Sequence, residues 1–275
     1  MPAEAPGGGG SIGGLIKRGA AWKMASEVVT QLARIVFALV LARLLTPEEY
    51  GVAGIALVVA GFVLVFSDLA FGAALVQRKT LSERDRSTVF WLGMGSGALL
   101  TLVGIGLADP MARFFGEPEL RGLVAATSLS FVVTALGATQ RALLTREMDF
   151  RRLELRTMAG TILGGGAGVA VAFLGGGAWA IVTQHLAFIV VSTLLLWLVS
   201  PWRPRFLFSV ASVRELGGFS LRVLANRFLY VANDTTSGVL IGRLLGAGAL
   251  GVYNVALNVV LLPLSRITTP LAEVF

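Results

Sequence analysis

Apolar runs of about twenty residues recur along the chain, and about twenty helical residues cross a hydrocarbon core of roughly 30 Å. Short polar or proline-bearing breaks separate them. The pattern predicts helices over residues 23–45, 50–76, 88–108, 120–143, 157–174, 179–199 and 216–241, with an eighth beginning near 250. Thr46-Pro47 closes the first helix, and Glu48-Glu49 suit the start of the second. Asp109-Pro110 is expected to end the third helix and to leave 111–119 at the surface. Residues 145–156 alternate arginine with acidic and apolar positions, the pattern of an amphipathic helix lying on a membrane. Phe90-Trp91 and Thr139-Gln140 read as interfacial. Gly164-Gly165-Gly166 with Gly168 is either a hinge or thin wall, or a surface for close helix packing. Gly175-Gly176-Gly177 makes a minimal turn, and Pro201 and Pro204 break the chain after the sixth helix.

Two of these helices carry polar residues on one face. Lys23, Glu27, Gln31 and Arg34 recur at intervals of four, four and three, as do Arg222, Asn226, Tyr230, Asn233 and Ser237 in the seventh helix. An ionisable group at the centre of a membrane helix costs about 2.5–3.5 kcal/mol on insertion scales, so it normally faces a bundle interior or a water-filled path. Shifting the numbering by two hundred lays Arg43-Leu44-Leu45 on Arg243-Leu244-Leu245, Gly51-Val52 on Gly251-Val252 and Ala56-Leu57 on Ala256-Leu257, without a gap. This reads as an internal duplication: a six-helix bundle followed by the first two helices of a second. Phe275 falls where the repeat places Leu75, so the expectation is a truncated or partial product of a parent with at least twelve helices. The same shift lays Glu27 on Arg227 and Arg34 on Asp234. About a pseudo-two-fold axis along the membrane normal these become two gating ion pairs, which a phosphate could open by competing for the arginines. The alternative is that each charge pairs within its own bundle.

Composition sets the class: 275 residues, 55% hydrophobic, with a mean hydropathy of +0.79, make an all-α polytopic membrane protein. Without cysteine there is no disulfide framework or thiolate metal site, and the single histidine, His185, rules out the usual histidine metal clusters; no metal or other cofactor is expected. His185, beside Gln184, is either a proton relay or a histidine hydrogen-bonded within the bundle. The net charge of +7 lies in short loops, which fits membrane topology better than nucleic acid. The N-terminal segment and the loops after the second, fourth and sixth helices hold fifteen Lys and Arg, against four in the other loops. The positive-inside rule then puts the N-terminus in the cytoplasm. Residues 1–16, rich in proline, glycine and alanine, are expected to be disordered; 17–200 form the first bundle and 201–275 begin the second. Twenty arginines against three lysines, with abundant glycine and alanine, point to a high-GC bacterial source.

Several stretches resemble the polysaccharide transporters, the Wzx-type flippases of the multidrug/oligosaccharidyl-lipid/polysaccharide exporter superfamily. They are Leu41-Ala42-Arg43-Leu44-Leu45-Thr46-Pro47-Glu48-Glu49-Tyr50-Gly51, Ala74-Leu75-Val76-Gln77-Arg78-Lys79, Arg113-Phe114-Phe115-Gly116-Glu117-Pro118-Glu119-Leu120, residues 141–152, and Ile241-Gly242-Arg243-Leu244-Leu245-Gly246. Relatives often carry an aspartate about four residues before that Ile-Gly; here Ser237 stands there, with Asp234 a turn earlier. The resemblance implies two six-helix bundles, with helices 1 and 7 facing a central cavity. It also implies export of polyprenyl-pyrophosphate-linked oligosaccharide across the bacterial cytoplasmic (inner) membrane, by alternating access, for exopolysaccharide or lipopolysaccharide O-antigen synthesis.

Such a substrate needs Arg or Lys for its pyrophosphate and Asn, Gln and Ser for its glycan, while its prenyl tail stays among membrane lipid. Gln31, Arg34, Arg222, Asn226, Arg227, Asn233 and Arg266 are the candidate contacts, unless they only pair internally to hold helices together. A polysaccharide polymerase is a further candidate partner. A drug or cation exporter of the same superfamily would want an acidic cavity, for which Glu27, Asp68 and Asp234 are available against an excess of arginine. A membrane enzyme polymerising lipid-linked sugars would need a sizeable extramembrane loop or paired carboxylates, neither of which stands out. No catalytic residue is expected, and a non-transporting scaffold is the third class.

Overall fold

The computed structural model describes residues 12–67, Leu75, 81–209 and 236–257. Among them there is no strand. Six long helices follow one another: α1 (Ile12–Leu44), α2 (Pro47–Ser67), α3 (Glu83–Phe115), α4 (Leu120–Arg146), α5 (Phe150–Phe173) and α6 (Trp179–Val199). Helical backbone returns at 236–244 and in Ala247–Leu257. α3, α4, α5 and α6 are each long and apolar enough to cross a membrane, and the protein is a multi-pass membrane protein.

Most breaks lie where the sequence places them. Thr46 and Glu49 form a reciprocal cap at the start of α2: the Thr46 backbone N–H donates to the Glu49 carboxylate (2.8 Å) and the Glu49 N–H to the Thr46 hydroxyl (3.2 Å). Ser82 and Asp85 do the same for α3, at 3.0 and 3.1 Å. The glycine turn into α6 has Gly175 at φ 76° and Gly177 at φ 52°, the left-handed region that costs glycine little.

Four expectations are corrected. The first helix is longer than expected: α1 is helical from Ile12, eleven residues before Lys23, through Leu15, Lys17 and Arg18, which are good helix formers. Asp109-Pro110 does not end α3. Pro110 removes one N–H, toward the carbonyl of Gly106, and both residues are exposed; an Asp109–Arg113 ion pair (2.6 Å) spans the site. The helix stops instead at Gly116, φ 75°, where the Glu117 N–H reaches back to the Ala112 carbonyl (3.0 Å). Residues 145–156 are not a separate surface helix: α4 runs to Arg146, Met148 turns at φ 55°, and Asp149 caps α5 by accepting the Arg152 N–H (3.1 Å). Thr139 and Gln140 are buried, not interfacial.

α3 packs on α4, α5 on α6, α1 on α5, α2 on α4, and α4 on α6. Small residues set how closely they approach. A methyl group at Gly164 would stand 2.8 Å from the Gln184 carbonyl oxygen and 2.9 Å from the Phe188 nitrogen, and one at Gly168 2.8 Å from the Ala180 carbonyl oxygen. With Gly160 against Phe188 and Ser192, these glycines, four residues apart, are the face of α5 that seats α6. Gly165 turns the other way, against the ring of Phe37 in α1.

The helices alternate in direction, which gives the bundle two ends. At one, Gly177 lies against Glu49, Gly122 against Trp179 and Gly242 against Phe115. Here the start of α2 crosses the start of Ala247–Leu257. A methyl group at Gly51 would collide with the Ala247 carbonyl oxygen, and one at Gly251 with the Pro47 carbonyl oxygen. Burial, Glu48 and Glu119 together raise the pKa of Glu117 at this end above the usual carboxylate range. At the other end the segment after α6 is clasped to the start of α3. The Trp202 indole donates to Glu83 (2.6 Å), the Trp91 indole to the Arg205 carbonyl (2.9 Å), and Ser87 and Thr88 accept the backbone N–H groups of Arg205 and Ser209. Phe90, Trp91, Trp197, Trp202 and Phe206 cluster there. Among the described residues this end holds ten arginines, Arg18, Arg84, Arg86, five from Arg141 to Arg156, Arg203 and Arg205, against Arg43, Arg113, Arg121 and Arg243 at the first.

Candidate functional site

The polar face of α1 meets α5. Ser26 and Thr30 are buried, Glu27 and Gln31 are half-buried, and Arg34 is exposed at the rim of a cavity of about 290 Å³. Thr161, Gly165, Gln184 and His185 also line that cavity. Gly165 lets α1 come close, since any side chain there would meet Phe37. The structure thus brings Arg34 together with His185 and Gln184, which sequence reasoning had treated apart. The expected contacts Arg222, Asn226, Arg227, Asn233 and Arg266, and the gating partner Asp234, lie outside the described residues. Ser237 is exposed.

A second cavity, of about 480 Å³, adjoins the first; Leu57, His185 and Phe188 line both. Four helices line it, α2 through Leu57 and Gly61, and its polar residues come from the other three by simple periodicity. Thr134 and Arg141 are seven residues apart on α4, and His185 and Ser192 seven apart on α6, so each pair shares a face two turns long, about 10 Å. Arg156 and Thr157 enter from the first turns of α5. Gly137 sits opposite Leu196, where a methyl group would be 2.9 Å from the leucine Cδ1. The Thr193 hydroxyl donates to the Val133 carbonyl (3.2 Å) and the Trp197 indole to the Leu136 carbonyl (3.0 Å), fixing α6 to α4 beside the cavity.

The polar groups here are largely unspent on protein. Thr134 Oγ1, Arg156 Nε, Thr161 Oγ1, His185 Nε2 and Ser192 Oγ are all buried and carry no hydrogen bond. His185 is therefore not anchored through Nε2 in the way a structural bundle histidine would be. A buried polar atom without a partner costs about 1–3 kcal/mol, and buried polar atoms in proteins are nearly always satisfied. No carboxylate stands among the described residues lining either cavity. The arrangement offers guanidinium and hydroxyl donors in an apolar wall, which suits an anion bearing hydroxyls or an apolar tail. Sequence reasoning missed Arg141 and Arg156, reading both as loop cations; the seven-residue spacings of Thr134 with Arg141 and of His185 with Ser192 were the available signal.

The sequence profile of a family described as polysaccharide biosynthesis protein matches residues 40–275. Among curated proteins, the chain is 29% identical over 247 residues to a lipopolysaccharide biosynthesis protein, WzxC, of Escherichia coli, covering 89% of this chain and 50% of that one. It is 30% identical over 241 residues to a succinoglycan biosynthesis transport protein, ExoT, of Rhizobium meliloti, covering 88% and 49%. It is 28% identical over 259 residues to a teichuronic acid biosynthesis protein, TuaB, of Bacillus subtilis, covering 94% and 54%. The chain thus spans about half the length of these relatives. No solved structure matches it. With a family profile that covers most of its length, the chain belongs to the polysaccharide biosynthesis protein family, the Wzx-type polysaccharide transporters.

Proposed function

We propose that the intact protein moves polyprenyl-pyrophosphate-linked oligosaccharide across the bacterial cytoplasmic membrane, by alternating access, for exopolysaccharide or lipopolysaccharide O-antigen synthesis. It is a carrier, not an enzyme. The observation that carries this reading is Arg34 at the rim of a cavity that Thr161, Gln184 and His185 also line, inside a bundle of membrane-crossing helices. A guanidinium there supplies fixed charge and a fork of donors to a pyrophosphate, while glutamine and hydroxyl groups suit a glycan. The printed names of the relatives, lipopolysaccharide, succinoglycan transport and teichuronic acid, support the same substrate class. A cation exporter would place carboxylates where these cavities present arginine and hydroxyl groups. In the intact protein, Arg34→Gln should lower transport of the lipid-linked oligosaccharide at least about tenfold, the worth of a charge-assisted hydrogen bond. Arg34→Lys should retain part of it, since charge survives and the bidentate fork does not. Undiminished flux in the glutamine variant would remove Arg34 from the path.

In this reading the arginine-rich end of the bundle faces the cytoplasm. The crossing of α2 with Ala247–Leu257 then closes the outer end. Its reciprocity, Gly51 against Ala247 and Gly251 against Pro47, supports two repeats related by a pseudo-two-fold axis, since such an axis pairs each residue with its counterpart's neighbour. Membrane-impermeant thiol reagents test the orientation, because the chain has no cysteine of its own. Ser82→Cys should react only from the cytoplasmic side and Gly176→Cys only from outside; reaction of both from one side rejects the topology.

A further inference from the structure

We propose that the 480 Å³ cavity between α2, α4, α5 and α6 is a binding site for the phosphate group of a membrane lipid, anchored by Arg156. Thr134, His185 and Ser192 complete it. The site differs from the Arg34 rim in place and in composition. It lies toward the arginine-rich end of the bundle, where α4 ends, α5 begins and α6 ends.

Three observations point to an anion. Arg141 and Arg156 line the same cavity, so two guanidinium groups border one space; Glu154 is the carboxylate near Arg156. Arg156 lines the cavity, and its buried Nε donates to nothing. Ser192, only 5% exposed, Thr134 and His185 add three more polar atoms with no partner, contributed by two other helices. These groups border one space, which a ligand long enough to follow the two-turn faces of α4 and α6 can share. A fourth observation points to a lipid rather than to a free ion. Leu57, Phe188, Ile189 and Leu196 make the rest of the wall apolar, and the volume exceeds what a phosphate fills. An amphiphile with its phosphate at Arg156 lays its first carbons along that wall. The transport reading bears only on which lipid arrives: a polyprenyl phosphate headgroup received here would stand one compartment away from Arg34, because Leu57, His185 and Phe188 border both cavities.

The test is titration calorimetry of the chain in a neutral maltoside detergent, with undecaprenyl phosphate, undecaprenol and inorganic pyrophosphate as separate probes. Undecaprenyl phosphate should bind at least about tenfold more tightly than undecaprenol. Arg156→Gln should weaken the phosphate lipid at least about tenfold and leave undecaprenol unchanged, Arg156→Lys should restore part of the loss, and Ser192→Ala should cost a few fold. Thermal melting of each variant checks that it is folded, and the lysine variant keeps the test decisive where glutamine disturbs packing. Equal binding of undecaprenol and undecaprenyl phosphate, or wild-type affinity in Arg156→Gln, overturns the site. Arg156-dependent binding of pyrophosphate as tight as that of the lipid would keep the anion and overturn the lipid. An Arg156-dependent titration in a protein that transports nothing would leave the site standing and sink the transport reading alone.

Discussion

Leucine at Gly51 or at Gly251 is expected to abolish transport by the intact protein, and alanine at either to impair it severely, while alanine at Gly248 is tolerated. The first two positions are where α2 and Ala247–Leu257 touch backbone to backbone. A single methyl group on either meets a carbonyl oxygen of the facing helix at a separation no real contact shows. Backbone cannot rotate out of the way as a side chain can, so the two helices must part. Overpacking against movable side chains costs about 1–3 kcal/mol, and a rigid neighbour raises that. Gly248 lies on the same helix, three residues before Gly251, with nothing within 4 Å of the place its methyl would take. A proline or glycine effect on the helix itself would strike both positions alike; a contact effect strikes only one. Transport per unit of protein in the membrane is the measure. Equal damage at Gly248 and Gly251, or wild-type transport by Gly51→Leu, would show that the crossing does not matter.

A larger effect on stability is expected inside the bundle. Gly164→Leu and Gly168→Leu should each lower the thermal unfolding midpoint in detergent by several degrees and reduce accumulation in the membrane, and the pair together should prevent folding. Both glycines face backbone atoms of α6, at 2.8 and 2.9 Å for the first methyl carbon alone. The total stability of a domain is only about 5–15 kcal/mol, so two overpacked positions on one interface consume a large share of it. Gly166, between them in sequence, faces open space. Gly166→Ala should hold or raise the midpoint, since alanine favours a helix over glycine by up to about 1 kcal/mol. A midpoint for Gly164→Ala no lower than that for Gly166→Ala would contradict the packing role.

Helix α6 runs from Trp179 to Val199, as the sequence pattern predicts, because a glycine turn and a proline-bearing segment bound an unbroken apolar run. Where the reading failed, a local signal lost to its surroundings. Pro110 reads as a stop in the sequence, yet its ring and the carbonyl it leaves unpaired both sit on an exposed face, and Ala108 and Ala112 on either side are buried. Residues 145–156 read as a surface helix because arginine alternates with acidic and apolar positions, but Asp149 supplies a cap and α5 continues inward. The same error hid the larger cavity. Arg141 and Arg156 were counted by side, as topology signals, and nothing in one dimension says that Arg156 turns into the bundle. That requires α6 to be held on α4, through Thr193 and Trp197, and pressed onto the glycines of α5. The Arg34 site was legible on α1, since intervals of four and three mark one face; which helices supply the opposite wall was not.

The clasp that follows α6 has a mechanical consequence. Four hydrogen bonds and an aromatic cluster tie residues 200–209 to the first turns of α3, so the first bundle reaches through Ser209 and not only to Val199. The two ends of the run from α3 to α6 are thereby joined twice, once through α4 and α5 and once by this strap, so α6 cannot splay from α3 without unbuckling it.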